Sequence, residues 1–259
     1  MNKYIKTLLD PIRVCASYTP KFGTGRGISL QSFLELYGND PFYSAMGLNT
    51  PLLYGIHKAA GGITSLYRQI GTGCERLIRQ ILVDSLNVPQ DMVTWSYPYG
   101  KKGQMRHLDG RIEFSSVPND ENRARVRAWA IEAAETIGVD PTIASHLKGI
   151  VFEIRQGYKS KDAKRQNADI VNASTAYSQA YLPCLMLISS QIDEGIFMRY
   201  KTAKWMILQG VVDESPLVST YSFLEQIVGF DLLSLLKENK DTIQNEIKSI
   251  LSTMAHSST

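Results

Sequence analysis

GIVFEIRQGYKSKDAKRQNAD, residues 149–169, decides how the rest of the chain is read. Its opening run is apolar almost throughout, with β-branched or aromatic side chains at Ile150, Val151, Phe152 and Ile154. That pattern predicts a strand buried on both faces. Side chains alternate along a strand, so Val151, Glu153 and Arg155 share one face. A carboxylate in such a place is costly unless a cation or a donor compensates it. After Gln156-Gly157 the composition turns basic, with Lys159, Lys161, Lys164 and Arg165 beside Tyr158, Ser160, Gln166 and Asn167. A helix is predicted to start in this run. The junction therefore offers free N–H groups and a positive helix end next to the buried acid. The lysines suit phosphates, and Gln166 and Asn167 carry the donor–acceptor pair that matches an adenine edge in a major groove. A solvated basic loop is the plainer reading of the lysines, but such loops seldom follow a buried glutamate.

On the C-terminal side, residues 163–181 predict a helix closed by Pro183, and CLMLISS (184–190) a buried strand parallel to a neighbour. KWMILQGVV (204–212) fits a further short strand, and 221–254 two helices, FLEQIVGFDLLSLLKEN and TIQNEIKSILSTM. On the N-terminal side, residues 120–137 predict a helix in which Val126, Trp129, Ala130, Ala133 and Ile137 share a face, with Gly138 at its end. Residues 92–99 and 104–114 alternate and carry β-formers, predicting two strands joined by a turn at 101–103. On the second of these, Asp109, Arg111 and Glu113 would project from one face. Farther upstream, Leu77, Ile78, Ile81, Leu82 and Leu86 form a helical stripe within 72–86, leaving Glu75, Arg76, Arg79 and Asp84 off it. Residues 50–70 are expected to make two short helices meeting at Gly61-Gly62, and 28–37 another helix capped by Ser29.

Strands and helices in this order predict an α/β fold: a mixed central sheet flanked by helices, with extra helical segments at both ends. One domain of residues 1–259 is expected, its core at about 70–190, with helical segments 1–69 and 213–259 packed on it.

Two carboxylates on neighbouring strands, Asp109 and Glu153, are what a hard divalent cation requires. Mg2+ takes oxygen ligands, keeps several waters and can activate one of them against a phosphodiester. A nearby cation such as Arg155 would stabilise the charge that grows on the phosphate oxygens. Each residue has a structural alternative. Asp109-Gly110 is a common turn dipeptide, Glu153 and Arg155 could be a plain ion pair, and Glu75 a solvated helix charge rather than a third metal ligand.

The remaining features narrow the class. A net charge of +3 does not by itself announce a nucleic-acid partner, so DNA binding must rest on the local cluster. Cys15, Cys74 and Cys184 lie far apart in no metal-ligand spacing, as in a reduced cytoplasmic protein. No stretch approaches a membrane span, and the first residues lack a signal-peptide core. The glycines of GTGRG (23–27) lack the Lys-Ser/Thr of a phosphate-binding P-loop. A plain surface loop over 17–30 is the first expectation there, and a flexible loop whose Lys21 and Arg26 touch a DNA backbone the second. His57, His107, His146 and His256 show no nucleophile elbow, which argues against a serine hydrolase.

The run from helix 72–86 through HLDGRIEF and VFEIRQG to residue 190 resembles the PD-(D/E)xK restriction endonucleases. FEIRQGYKSKDAKRQNADI and GITSLYRQIGTGCERLIRQIL look in particular like the ApaLI-type enzymes. The resemblance implies a restriction-endonuclease-like core with Asp109 and Glu153 as Mg2+ ligands. It further implies a type II, site-specific deoxyribonuclease acting on double-stranded DNA as a cytoplasmic homodimer. The chain departs from the pattern in two places. Leu108 stands where the motif proline is expected, and Arg155 occupies the position of the motif lysine. Arginine stays protonated and is a poor base, so Lys159, Lys161 or Glu113 is left to assist the water. A nuclease without sequence specificity, or a DNA-binding protein with a vestigial site, fits the same residues.

Overall fold

The computed structural model describes residues 1–99, 103–157 and 163–256, with 163–167 and 255–256 described by their backbone alone. In chain order the helices and strands are α1 (Lys3–Arg13), α2 (Leu30–Gly38), α3 (Pro41–Ala45), α4 (Pro51–Leu86), β1 (Trp95–Tyr99), β2 (Gln104–Leu108), β3 (Gly110–Glu113), α5 (Asp120–Thr136) and α6 (Pro141–Ser145). They continue with β4 (Gly149–Arg155), α7 (Ala163–Ser178), β5 (Tyr181–Leu187), α8 (Glu194–Thr202), β6 (Met206–Leu208), α9 (Thr220–Ser222), α10 (Leu232–Glu238) and α11 (Lys240–His256). The chain divides into two compact units, Met1–Gly73 with Glu238–Thr259, and Cys74–Lys237. The first boundary falls inside α4, and of the expected C-terminal helical segment 213–259, residues 213–237 belong to the unit that holds the sheets and 238–259 to the first unit.

In the first unit, α1 buries Ile5, Leu9 and Ile12, and Cys15 lies fully buried just after it. Arg13 and Glu246 tie α1 to α11 at 2.6 Å. Ser29 caps α2 by accepting the Ser32 N–H, as its position before an apolar periodic run predicts. The 17–30 segment is a loop between Tyr18 and Ser29, anchored by the Phe22 ring against Phe33 at 4.5 Å and His57 at 4.7 Å. Lys21 and Arg26 are exposed on it. Gly61-Gly62 does not break a helix: α4 runs unbroken through it. The reason is steric. A Cβ at Gly61 would lie 2.0 Å from the Tyr18 hydroxyl, and one at Gly73 would lie 2.3 Å from the Leu8 carbonyl oxygen. These glycines let neighbouring segments touch the helix backbone, where a side chain would stand in the way.

In the second unit, four strands form a mixed sheet in the order β3-β4-β5-β6. β3 runs antiparallel to β4, while β4, β5 and β6 are mutually parallel. β1 and β2 pair separately as an antiparallel ribbon, from Trp95↔Leu108 to Tyr99↔Gln104. The expected strand over 104–114 is thus two strands in two sheets, broken by a bend at Asp109. Every residue of β5 is buried, as expected for a central parallel strand. Pro183 stands third in β5 instead of closing the preceding helix; α7 ends at Ser178 and Ala180 takes left-handed backbone with φ 60°. The helix expected at 223–239 is likewise interrupted. A π turn over Phe223–Val228 ends at Gly229, whose φ of 89° starts the chain afresh into α10.

Two apolar layers clamp the sheet. On one face Val151, Tyr181, Leu185 and Leu187 join Ala173 and Ala176 of α7, Ile196 and Tyr200 of α8, and Trp95, Tyr97 and Leu108 of the ribbon. On the other, Phe152 meets Phe223 at 5.9 Å, and Phe223 meets Trp129 of α5 at 4.5 Å. Asn119 caps α5 through the Asn122 N–H. Leu77, Ile78, Ile81, Leu82 and Leu86 of α4 are all buried, as their spacing requires. Among the described residues no helix is long and apolar enough to cross a membrane.

Candidate functional site

β4 leaves the sheet at Arg155, and the acid expected to sit in its middle does so: Glu153 is only 4% exposed. Two neighbours set its position. Glu153 stands level with Leu185 of β5, and the β3–β4 register pairs Arg111 with Val151. Continued by one pair, that register brings Asp109 beside Glu153 on the same face, just beyond the end of β3.

Arg155 lies between the two acids. Its Nη2 forms an ion pair with Glu153 Oε1, and its Nη1 stands 3.6 Å from Asp109 Oδ2. The same Asp109 oxygen accepts the main-chain N–H of Ile154 at 2.9 Å. The aspartate thus supplies the acceptor that β3 withdraws when the chain bends. Arg79 of α4 fixes the other side of the bend, its Nη1 donating to the Asp109 carbonyl at 3.0 Å. Both carboxylates therefore surround one positive charge at the carboxyl end of a parallel strand pair, the edge where open α/β sheets place their ligands. Arg155 Nε is buried and has no hydrogen-bond partner among the described residues.

A second polar row runs along the same face toward the start of β4. Arg111 Nη1 is 3.8 Å from Glu113 Oε2, and its Nε donates to the Met92 carbonyl at 2.9 Å. Tyr181 reaches across Gly149 and donates its hydroxyl to Glu113. Burial, and then that hydrogen bond, push the Tyr181 hydroxyl up to about 12. Glu113 is thereby engaged at the far end of the strand from Glu153, and this placement removes it as the assistant to a water at Asp109.

α7 supports the site from the side. Buried Asn172 accepts from the Tyr97 hydroxyl at 2.6 Å, and buried Asp169 accepts from that of Tyr200. Arg106 lies over the Tyr99 ring at 3.6 Å and donates to the Ala168 carbonyl at 3.3 Å. These contacts hold the first turns of α7 to the ribbon and to α8.

The structure brings Asp109, Glu153 and Arg155 together. It does not bring in Glu75. That residue is half-buried on α4, one turn before Arg79. Among the described residues no group of three or more His, Cys, Asp or Glu side chains gathers as a metal site. Lys159 and Lys161 lie outside the described residues; Lys164, Arg165, Gln166 and Asn167 fall in the first turns of α7, and their side chains lie outside them too. Sequence reasoning missed Arg79 and the Ile154 N–H. The only available signal for Arg79 was a basic residue off the apolar stripe of an otherwise buried helix.

Two carboxylates about one guanidinium are oxygen donors of the kind that Mg2+ takes, which is often held by one or two carboxylates and waters. The chain is thus an α/β protein with an Asp–Arg–Glu cluster at the carboxyl edge of a mixed sheet. No protein-family model matches it, and no curated protein or solved structure is significantly similar to it.

Proposed function

We propose that the chain is a Mg2+-dependent type II restriction endonuclease. It would cut both strands of DNA at a specific, palindromic site as a cytoplasmic homodimer, on a restriction-endonuclease-like core. The observation that carries this reading is the convergence of Asp109 and Glu153 on one guanidinium at the strand edge that leads into the basic run 158–169. A palindrome is read most simply by a two-fold symmetric protein, each subunit cutting one strand.

Bound Mg2+ supplies an activated water and neutralises charge on the phosphate. The protein's own groups do the rest. Asp109, pinned by the Ile154 N–H and by Arg79, presents its carboxylate in one orientation. Glu153 is held from the same side by Arg155. The buried Arg155 Nε–H is a donor with capacity for a phosphate oxygen, and its fixed charge favours the more negative transition state. Arg155 stays protonated and takes no proton from water. Lys159 is therefore our candidate for that role, with Lys161, Lys164 and Arg165 on phosphates and Gln166 and Asn167 on base edges.

One observation favours a second reading. Arg155 already contacts both acids, as it would in a DNA-binding protein whose metal site has been filled by a side chain. Digestion of a sequenced plasmid in Mg2+ buffer separates the two. Discrete fragments, lost in Asp109→Ala and Glu153→Ala, are expected for the restriction enzyme. A smear would indicate a nuclease without site specificity. Retained DNA binding without cleavage in Mg2+ or Mn2+ would leave the binding protein.

A further inference from the structure

At the opposite end of β4 from the carboxylates, a cleft of about 670 Å3 opens between α5 and the segments around Phe114 and Lys148. Glu153 is five residues along the chain from Lys148, about 16 Å at roughly 3.3 Å each, so the cleft and the Asp109–Glu153 site are separate places. Its volume falls within the usual range of small-molecule sites.

The walls of the cleft are basic and its floor apolar. Arg123 and Arg127 stand one helical turn apart on α5, with Ala124 and Ala128 beside them, while Lys148 faces in from the segment leading into β4. Phe114, Ile131 and Leu147 form the apolar part. Arg123 is largely spoken for, since it pairs with exposed Asp120 and donates to the Val117 carbonyl at 2.8 Å. Arg127 has only a long bond to the Ser145 carbonyl, at 3.4 Å, and no carboxylate partner among the described residues. Lys148 lies 4.8 Å from the centroid of the Tyr181 ring. Asp120 offsets Arg123 and the Lys148 ammonium sits over Tyr181, which leaves the Arg127 guanidinium as the least engaged charge beside an apolar hollow lined by Ala124 and Ala128.

We propose that this cleft binds a phosphomonoester carried on a flat, apolar or aromatic body, of which a mononucleotide is one example. The Arg127 guanidinium, with the Lys148 side chain within reach from the segment leading into β4, matches the charge and the oxygens of a terminal phosphate. The floor accounts for the rest of the ligand, because apolar surface buried on binding favours a ring over a bare ion. A duplex backbone offers no such ring to fill a concave apolar hollow.

The test is calorimetric titration of the full chain with AMP, phenyl phosphate, inorganic phosphate and adenosine. The same titrations are made on Arg127→Ala and on Ala128→Leu, whose exposed site tolerates leucine in a helix. Saturable binding of AMP and phenyl phosphate is expected, weakened at least tenfold in each variant whose thermal unfolding matches the parent. Inorganic phosphate and adenosine should each bind at least tenfold more weakly than AMP. No saturable binding of either phosphomonoester would overturn the proposal, as would affinities unchanged in both variants. Equal binding of adenosine would remove the anion from the recognition, and equal binding of inorganic phosphate would remove the ring; either result overturns it. If Arg127→Ala weakens duplex binding but not AMP binding, the cleft is a DNA contact instead. DNA cleavage is scored separately, so failure here leaves the endonuclease reading untouched.

Discussion

The Asp109 carboxylate accepts the main-chain N–H of Ile154 at 2.9 Å, so the residue proposed to bind metal also completes the sheet where β3 ends. Structural and chemical roles can be separated by substitution. Asp109→Asn keeps an acceptor for the N–H but loses the charge, whereas Asp109→Ala loses both. Stability should fall by about 1–3 kcal/mol in Asp109→Ala, the usual penalty for an orphaned buried donor, and by less in Asp109→Asn. Cleavage should be lost in both. Urea unfolding alongside plasmid digestion checks this, and an active Asp109→Asn would remove Asp109 from the metal site.

Arg155 holds Glu153 and Asp109 together, and its removal leaves a nearly buried carboxylate unpaired. Arg155→Ala should be destabilised by about 3–5 kcal/mol, the range for breaking a buried pair from one side. Arg155→Lys keeps the charge, gives up the forked contact and puts lysine where the proposed endonuclease reading expects one. Its unfolding midpoint should lie between those of Arg155→Ala and the parent. The half-saturating Mg2+ for cleavage should fall, because guanidinium and metal compete for the same oxygens. An unchanged Mg2+ requirement would show that they do not.

Gly149 sits level with Glu113 on one side and Tyr181 on the other. A Cβ there would lie 2.4 Å from the Ile112 carbonyl oxygen and 2.8 Å from the Tyr181 ring. Gly149→Ala should therefore lose about 1–3 kcal/mol, as overpacked cores do, and should separate the Tyr181 hydroxyl from Glu113. Thermal unfolding with a tyrosine absorbance titration would reveal both effects.

Alkaline pH should loosen the second unit in a defined window. Tyr181 is held up at about 12, by burial first and then by Glu113, and Cys74 is also raised to about 12, by burial first and then by Glu75. Both groups are neutral when protonated, so the folded state keeps protons that the unfolded state releases. The associated stability is complete below the unfolded values, about 8.5 for a thiol and 10 for a phenol. It is lost as pH rises through that range toward 12. Tyr181→Phe should flatten the fall in midpoint above pH 10. An unaltered alkaline slope would show that Tyr181 does not carry it.

Much of the secondary structure could be read from residue order because it depends on local periodicity. Ser29 and Asn119 cap the helices they precede, the stripe from Leu77 to Leu86 is buried, the apolar run at 149–155 is a buried strand, and the one that begins CLML at 184 lies in a buried strand parallel to its neighbours. Local signals failed where a residue serves a distant partner. Gly61 looked like a break but makes room for Tyr18, and Pro183 looked like a helix stop but lies inside β5.

For the site, the chain order alone determined that Glu153 is buried and shares a face with Arg155, since alternation along one strand requires nothing beyond that strand. The bend at Asp109, the guanidinium bridging two acids and the Arg79 anchor were decided only by tertiary structure. These join residues from three separate segments, and which donor reaches which acceptor follows from how the sheet register and the helix above it pack.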